Sequence, residues 1–117
     1  MALLSMLELP GSPTEQASAA TITYYWDPTA ELGAGESVSS PTCTVTAYDP
    51  AYPDDTNDVT ATSVAPGSPF VGVGSYGGLV GVTVQGLTAG YEYRVLLGCT
   101  ASAGHVPVRF FRVRCLV

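Results

Sequence analysis

Apolar and polar residues alternate along most of the chain that follows Thr21. The clearest stretch is 42–48, in which Cys43, Val45 and Ala47 fall on one face and threonines fall on the other. A period of two residues is typical of a β-strand that buries one of its faces. The same pattern predicts further strands over 21–26, 59–64, 79–84, 92–101 and 106–117.

Turn-forming residues separate the predicted strands. Four strands end at pairs of such residues, namely Asp27-Pro28, Asp49-Pro50, Pro66-Gly67 and Gln85-Gly86. Residues 102–105 predict a hairpin turn, and the acidic stretch 49–58 predicts a long loop. About six or seven short strands without a convincing helix predict an all-β protein, in which residues 21–117 form one antiparallel β-sandwich.

Residues 1–20 predict an extended N-terminal arm. Its apolar side chains are Leu3, Leu4, Met6, Leu7 and Leu9, and the prolines that follow end any helix. No basic residue opens the segment, and Glu8 interrupts the apolar stretch, so we do not expect an export signal. Because so short a segment cannot fold alone, it needs a surface to rest on. That surface is either its own domain or a neighbouring subunit, and the alternative to a docked arm is a frayed terminus.

Charge is distributed unevenly along the 117 residues. Ten acidic residues and no basic residue precede Tyr93, whereas four arginines and no acidic residue follow it, which gives a net charge of −6. This balance argues against nucleic acid or an anionic membrane as partner, because both need clustered cations. No apolar run approaches the ~18–20 residues that cross a bilayer. The asymmetry suits docking against charged proteins, although coding bias against lysine would also produce it.

Residue types with catalytic or cofactor-binding potential are sparse and scattered. His105 has no acidic or basic partner in the sequence, and the glycine-rich stretch 71–78 lacks the lysine of a phosphate loop. Three cysteines, Cys43, Cys99 and Cys115, form neither an even set nor a zinc motif, which indicates free thiols. We therefore expect no enzyme activity, no cofactor and no bound metal.

A calcium site in the acidic stretch 49–58 is the alternative to the absence of a bound metal. Asp54, Asp55, Asn57 and Asp58 could supply oxygen ligands to Ca²⁺. Their spacing matches no EF-hand, and a solvated loop is the simpler interpretation.

Arginines and apolar residues alternate outward on the last two predicted strands. Strand alternation directs Arg94, Leu96, Phe110, Arg112 and Arg114 away from the core. The predicted register brings Arg94 close to Arg114, and like charges that face each other are unfavourable. Acidic groups should therefore lie nearby, supplied by Glu31, Glu36, the 49–58 loop or another subunit. Arginine beside apolar side chains is typical of protein interfaces, so this face is the predicted protein-binding surface.

The segment 87–93 has a more specific pattern. Leu87, Gly90 and Tyr93 precede a strand with the spacing of the tyrosine corner, so the segment resembles the corner of immunoglobulin-like and fibronectin type III domains. The resemblance implies that Tyr93 bonds back to the upstream backbone and that Leu87 starts the turn from the core.

The wider pattern, over about residues 21–117, is similar to a narrower family. Trp26-Asp27 ends an aromatic strand, Gly35 to Val45 follows, and 102–104 precedes the terminal strand 108–114. Together with the corner, this resembles the small immunoglobulin-like virion structural proteins of tailed bacteriophages. Cys43, where an aromatic residue is more usual, the enlarged acidic stretch 49–58 and the glycine-rich 72–81 depart from the family.

The resemblance implies a structural component of a virion, made in the host cytoplasm. A capsid decoration or cement protein is the first expectation, bound to the major capsid protein or to other virion proteins. A homo-oligomer is expected, and a trimer would suit an arm that reaches a neighbour. The alternatives are a neck, tail or baseplate component, a host-surface or glycan-binding module that uses Tyr48, Tyr52 and Tyr76, and a cytoplasmic adaptor.

Overall fold

Two β-sheets pack face to face in the computed structural model, which describes residues 8–117. The strands are β1 (Thr14–Glu15), β2 (Ile22–Trp26), β3 (Val38–Asp49), β4 (Tyr52–Asp58), β5 (Phe70–Val71), β6 (Val80–Val84), β7 (Glu92–Ala101) and β8 (Val108–Arg114). Helical segments are short: a 3₁₀ turn at Pro28–Glu31, the helix α1 at Thr60–Ser63, and a second 3₁₀ turn at Gly74–Tyr76. Within residues 8–117 no helix has the length and apolar content needed to span a membrane.

The strand order is β1-β8-β7-β3-β4 in the larger sheet and β2-β6-β5 in the smaller one. All pairs are antiparallel except β1 with β8, which are parallel. The predicted all-β sandwich is confirmed, and this strand order is compatible with an immunoglobulin-like domain.

The core contains the inward-facing residues of both sheets. Val45, Val95 and Val113 from the larger sheet meet Val82 and Val84 from the smaller one, and all five are fully buried. This packing follows from the period-two pattern, because alternate side chains along a strand point to the same face.

The three cysteines are free thiols: Cys99 and Cys115 are buried, and Cys43 is half-buried. Burial raises the pKa of Cys43 to about 12, so this thiol stays protonated at neutral pH.

The strand predicted over 59–64 is wrong, since this segment forms α1. The Asp58 carboxylate accepts hydrogen bonds from the Thr60 backbone nitrogen at 3.0 Å and from its hydroxyl at 2.6 Å. These bonds form an Asx turn directly before the helix, and such a turn favours a bent backbone over an extended one.

The long loop predicted over 49–58 is also wrong, because Tyr52–Asp58 pairs with β3 as the strand β4. Backbone hydrogen bonding outweighs the low strand propensity of its aspartates and proline. All seven residues are exposed, and charge and proline on an edge strand discourage pairing with another chain.

Within the described chain, no group of three His, Cys, Asp or Glu side chains could hold a metal ion.

The described part of the predicted arm lies along β8 of its own chain. The backbone nitrogens of Leu9 and Gln16 donate to the carbonyls of Phe110 at 2.8 Å and Arg114 at 3.0 Å. Leu9 is half-buried and packs against the core, so it does not extend toward a neighbour. Leu3, Leu4, Met6 and Leu7, the other apolar residues of the predicted arm, lie outside the described residues.

Gln16 joins the arm to both sheets, and only 3% of its surface is exposed. Its amide nitrogen donates to the Val84 carbonyl at 2.8 Å, and its amide oxygen accepts from the Tyr24 hydroxyl at 2.8 Å. Because Val84 and Tyr24 belong to the smaller sheet, this side chain connects that sheet to the strand that covers β8.

We expect Gln16→Leu to lower the free energy of unfolding by about 1–3 kcal/mol, because the buried Val84 carbonyl loses its side-chain partner. Urea unfolding measures the change. Gln85→Leu is the matched control, since Gln85 is half-buried and its side chain makes no hydrogen bond within residues 8–117. Equal losses in the two variants would contradict the role assigned to Gln16.

The segment before β7 forms a compact corner. The buried Tyr93 hydroxyl accepts a hydrogen bond from the Thr88 backbone nitrogen at 2.6 Å. Leu87 is buried in the core, and Gly90 has a φ of +93°, which glycine adopts at low cost. The corner therefore links the entry of β7 to the turn five residues upstream.

Removal of the phenol from the corner should weaken the fold. Tyr93→Phe leaves the Thr88 backbone nitrogen without its partner, so we expect a loss of about 1–2 kcal/mol in the free energy of unfolding. Chemical denaturation should show no comparable loss for Tyr91→Phe, which removes the same group from an exposed tyrosine two residues earlier. If the two variants unfold at the same denaturant concentration, the corner bond contributes nothing.

Candidate protein-binding face

The predicted protein-binding surface lies on the outer face of the five-stranded sheet. Strand register arranges its side chains in three rows across the sheet: Asp58–Thr46–Arg94–Arg112, then Thr56–Tyr48–Glu92–Arg114, then Thr44–Leu96–Phe110. We call these residues the outer face. The rows place all three outward arginines on one side of the molecule.

The observed register between β7 and β8 differs by two residues from the register predicted from the sequence. Arg94 lies directly opposite Arg112, and Arg114 lies opposite Glu92 instead of Arg94. The earlier end of β8, at Arg114 instead of Val117, accompanies this shift. Two arginines face each other across antiparallel strands, an arrangement that is unfavourable unless carboxylates lie close by.

Glu92 is the central acidic group of the outer face, with 5% of its surface exposed. Its carboxylate accepts from the Tyr48 hydroxyl at 2.5 Å and from Arg114 Nε at 3.1 Å, and the Arg112 guanidinium lies 3.7 Å away. Burial raises the pKa of Tyr48 to about 12, and the hydrogen bond to Glu92 adds to the rise. Tyr48 therefore stays protonated and donates to the buried carboxylate.

Glu8 of the arm supplies the second carboxylate. Arg112 Nε donates to Glu8 at 2.6 Å, and the Ser12 hydroxyl donates to the same carboxylate. The Arg112 backbone nitrogen in turn donates to the Ser12 hydroxyl at 2.8 Å. The acidic neighbours of the arginines are therefore Glu8 and Glu92, and not Glu31, Glu36 or the 49–58 stretch, as the sequence had suggested.

Glu31 and Glu36 act elsewhere, at the β7–β8 hairpin. Glu31 forms an ion pair with Arg109 and accepts from the His105 ring through its backbone carbonyl at 2.9 Å. The Glu36 carboxylate accepts from the Ala103 backbone nitrogen at 3.2 Å. The Glu31 contacts connect the hairpin, including His105, to the 3₁₀ turn at Pro28–Glu31, and the Glu36 contact connects it to the segment before β3.

Arg94 is the exception among the outer-face arginines. Its guanidinium carbon lies 5.2 Å from the Phe110 ring centre and 5.9 Å from that of Tyr48. No carboxylate in residues 8–117 lies within salt-bridge distance of it, and no acidic residue precedes Glu8 in the sequence. Its close contacts are therefore cation–π contacts, and Glu8 attracts this charge from a longer distance.

The apolar members of the outer face are unequal in exposure. Leu96 is 40% exposed beside Arg94, whereas Phe110 is only 5% exposed. Accessible side chains on this face thus include Arg94, Leu96 and the half-exposed Arg114.

The glycine-rich stretch has a role that sequence reasoning missed. The 3₁₀ turn at Gly74–Tyr76 brings Tyr76 onto Tyr25, with ring centres 4.6 Å apart. A side chain at Gly81 would lie 2.5 Å from the Phe70 ring, which packs edge-on against Tyr25. Aromatic packing explains Gly81, and only the three-dimensional pairing of β5 with β6 makes this requirement visible.

No protein-family model, curated protein or solved structure matches this chain. The resemblance to phage virion proteins stays a prediction.

Glu8 should make the stability of the protein depend on acidic pH. Burial alone would raise its pKa, but hydrogen bonds from Ser12 and Arg112 outweigh burial, so the pKa lies below its ordinary value of 4.5. A depressed pKa stabilises the folded state above the ordinary value, and this contribution is lost as pH falls through the folded-state pKa. We therefore expect Glu8→Gln to destabilise the protein at about pH 7 and to approach the wild type at about pH 3.

Urea unfolding at the two pH values measures this difference. Glu15→Gln is the charge-matched control on the exposed side of β1, and its effect should be small at both values. A Glu8→Gln deficit of the same size at both pH values would contradict the ion pair.

Proposed function

We propose that this protein is a structural virion component, with capsid decoration or cementing as its role and the outer face as its docking surface. The observation that carries the proposal is the exposed pair of Arg94 and Leu96. Around this pair, Arg112 and Arg114 are already paired with carboxylates of their own chain. The family resemblance over residues 21–117 supplies the virion context.

The proposed mechanism is contact across subunit boundaries. An arginine beside an aliphatic side chain matches the composition of interface centres, where a few residues provide most of the binding energy. Such contacts add free energy only after the partner subunits have assembled, so the bound protein resists rupture of the shell. The larger sheet suits this task because its arm covers one edge and its acidic β4 protects the other.

Arg94 is the residue to change, because charge reversal of Arg112 or Arg114 would also break contacts with Glu8 and Glu92. We expect Arg94→Gln to lower the number of copies per purified particle about tenfold, as loss of an interface anchor does. Quantitative mass spectrometry of the particles measures this number. Arg109→Gln removes the same charge away from the outer face and should leave the copy number unchanged, even though it also breaks the ion pair with Glu31.

The wild-type copy number separates the decoration role from its closest alternative. Decoration implies hundreds of copies, whereas a neck, tail or baseplate ring implies about six or twelve. Failure of the wild-type protein to enter particles, or equal copy numbers for Arg94→Gln and wild type, would overturn the proposal.

A further inference from the structure

Arg94 is an exposed side chain whose guanidinium contacts two aromatic rings before any partner binds. Its guanidinium lies over the rings of Phe110 and Tyr48, and both rings are buried. Stacking on aromatic faces restricts the planar group and removes part of its water. A cation that is already ordered and partly desolvated loses less entropy when it forms a bidentate contact.

Every acidic side chain on or beside the outer face has a closer partner than Arg94. Glu92 binds Tyr48 and Arg114, and Glu8 binds Arg112 and Ser12. Asp58, in the same row as Arg94, binds the backbone and hydroxyl of Thr60 instead. Within residues 8–117 no carboxylate lies within ion-pair distance of Arg94, Glu8 attracts it only from farther away, and Arg112 lies directly opposite and repels it.

The surroundings favour a single carboxylate over a phosphate polymer. Three arginines are balanced by Glu8, Glu92 and Asp58, so this face has no net positive charge, and the protein as a whole has a net charge of −6, which repels polyanions at longer range. Leu96 adds an apolar contact two residues along the same strand, at about 6.8 Å from Arg94 along the backbone. An extended protein segment presents side chains at the same spacing.

We propose that the outer face binds an extended protein segment that carries a carboxylate two residues from an aliphatic side chain. The carboxylate pairs with Arg94, and the aliphatic side chain packs on Leu96. This inference rests on the proposed docking role of the outer face and specifies the chemistry of its partner.

The test uses the full chain and a short acetylated peptide, Thr-Glu-Thr-Leu-Thr. Titration followed by NMR should shift the Arg94 Nε–H and Leu96 amide signals in a saturable way, with a dissociation constant of order 1 mM. We expect Arg94→Gln to weaken binding about fivefold or more, and Arg94→Lys to weaken it less, because lysine keeps the charge without the planar fork. Arg109→Gln should bind like the wild type.

Two further peptides test the chemistry. Replacement of the peptide glutamate by glutamine should abolish saturable binding, and replacement of the leucine by alanine should weaken it. Tighter binding of the phosphoserine analogue would overturn the assignment of a carboxylate, as would the absence of binding by the glutamate peptide.

Particle occupancy separates this inference from the proposed function. If the peptide does not bind but Arg94→Gln still lowers the copy number per particle, the docking role stands and the partner chemistry is wrong. If the peptide binds while the copy number is unchanged, the site exists and the virion role fails.

Discussion

The buried carboxylate of Glu92 is the interaction on which the outer face depends. It lies between Tyr48 on β3 and Arg114 on β8, and its 5% exposure leaves little water to stabilise its charge. Removal of either partner would leave a buried charge incompletely compensated, which is costly in a protein interior. Through Arg112 the same cluster reaches Glu8, so one set of charges connects the centre of the sheet to the strand that covers its edge.

In this cluster, acidic residues from the first part of the sequence form ion pairs with arginines from its last part. Glu8 and Glu92 come from the acidic part of the chain, and Arg112 and Arg114 come from the basic end. Parallel pairing of the arm with β8 brings these distant segments together. Three of the four arginines are therefore paired with carboxylates within residues 8–117, whereas most of the ten acidic residues have no arginine partner.

The alternation of apolar and polar residues predicted the strands that bury one face. It failed at segments whose backbone conformation depends on strand pairing or on local side-chain hydrogen bonds. The strand at 92–101 was predicted with its observed bounds, because alternation there is regular and the corner marks its start. β4 was missed because aspartate and proline have low strand propensity, and only its pairing with β3 stabilises it. Glu92 was missed as the partner of Arg114. A register shift of two residues on β8 keeps each side chain on the same face of the sheet but changes the residue opposite it on β7.

Arg94 occupies a position where the fold alone would favour another residue. A threonine there would keep the strand and remove the repulsion from Arg112, and the neighbouring Thr46 already shows that the sheet accepts threonine at this row. The rings beneath Arg94 offset part of the repulsion but do not neutralise the charge. A residue that lowers the stability of the fold, among neighbours that all favour it, is typical of binding sites. The electrostatics of one row therefore distinguish the proposed docking surface from the rest of the sheet, whose other arginines are paired with carboxylates within the described chain.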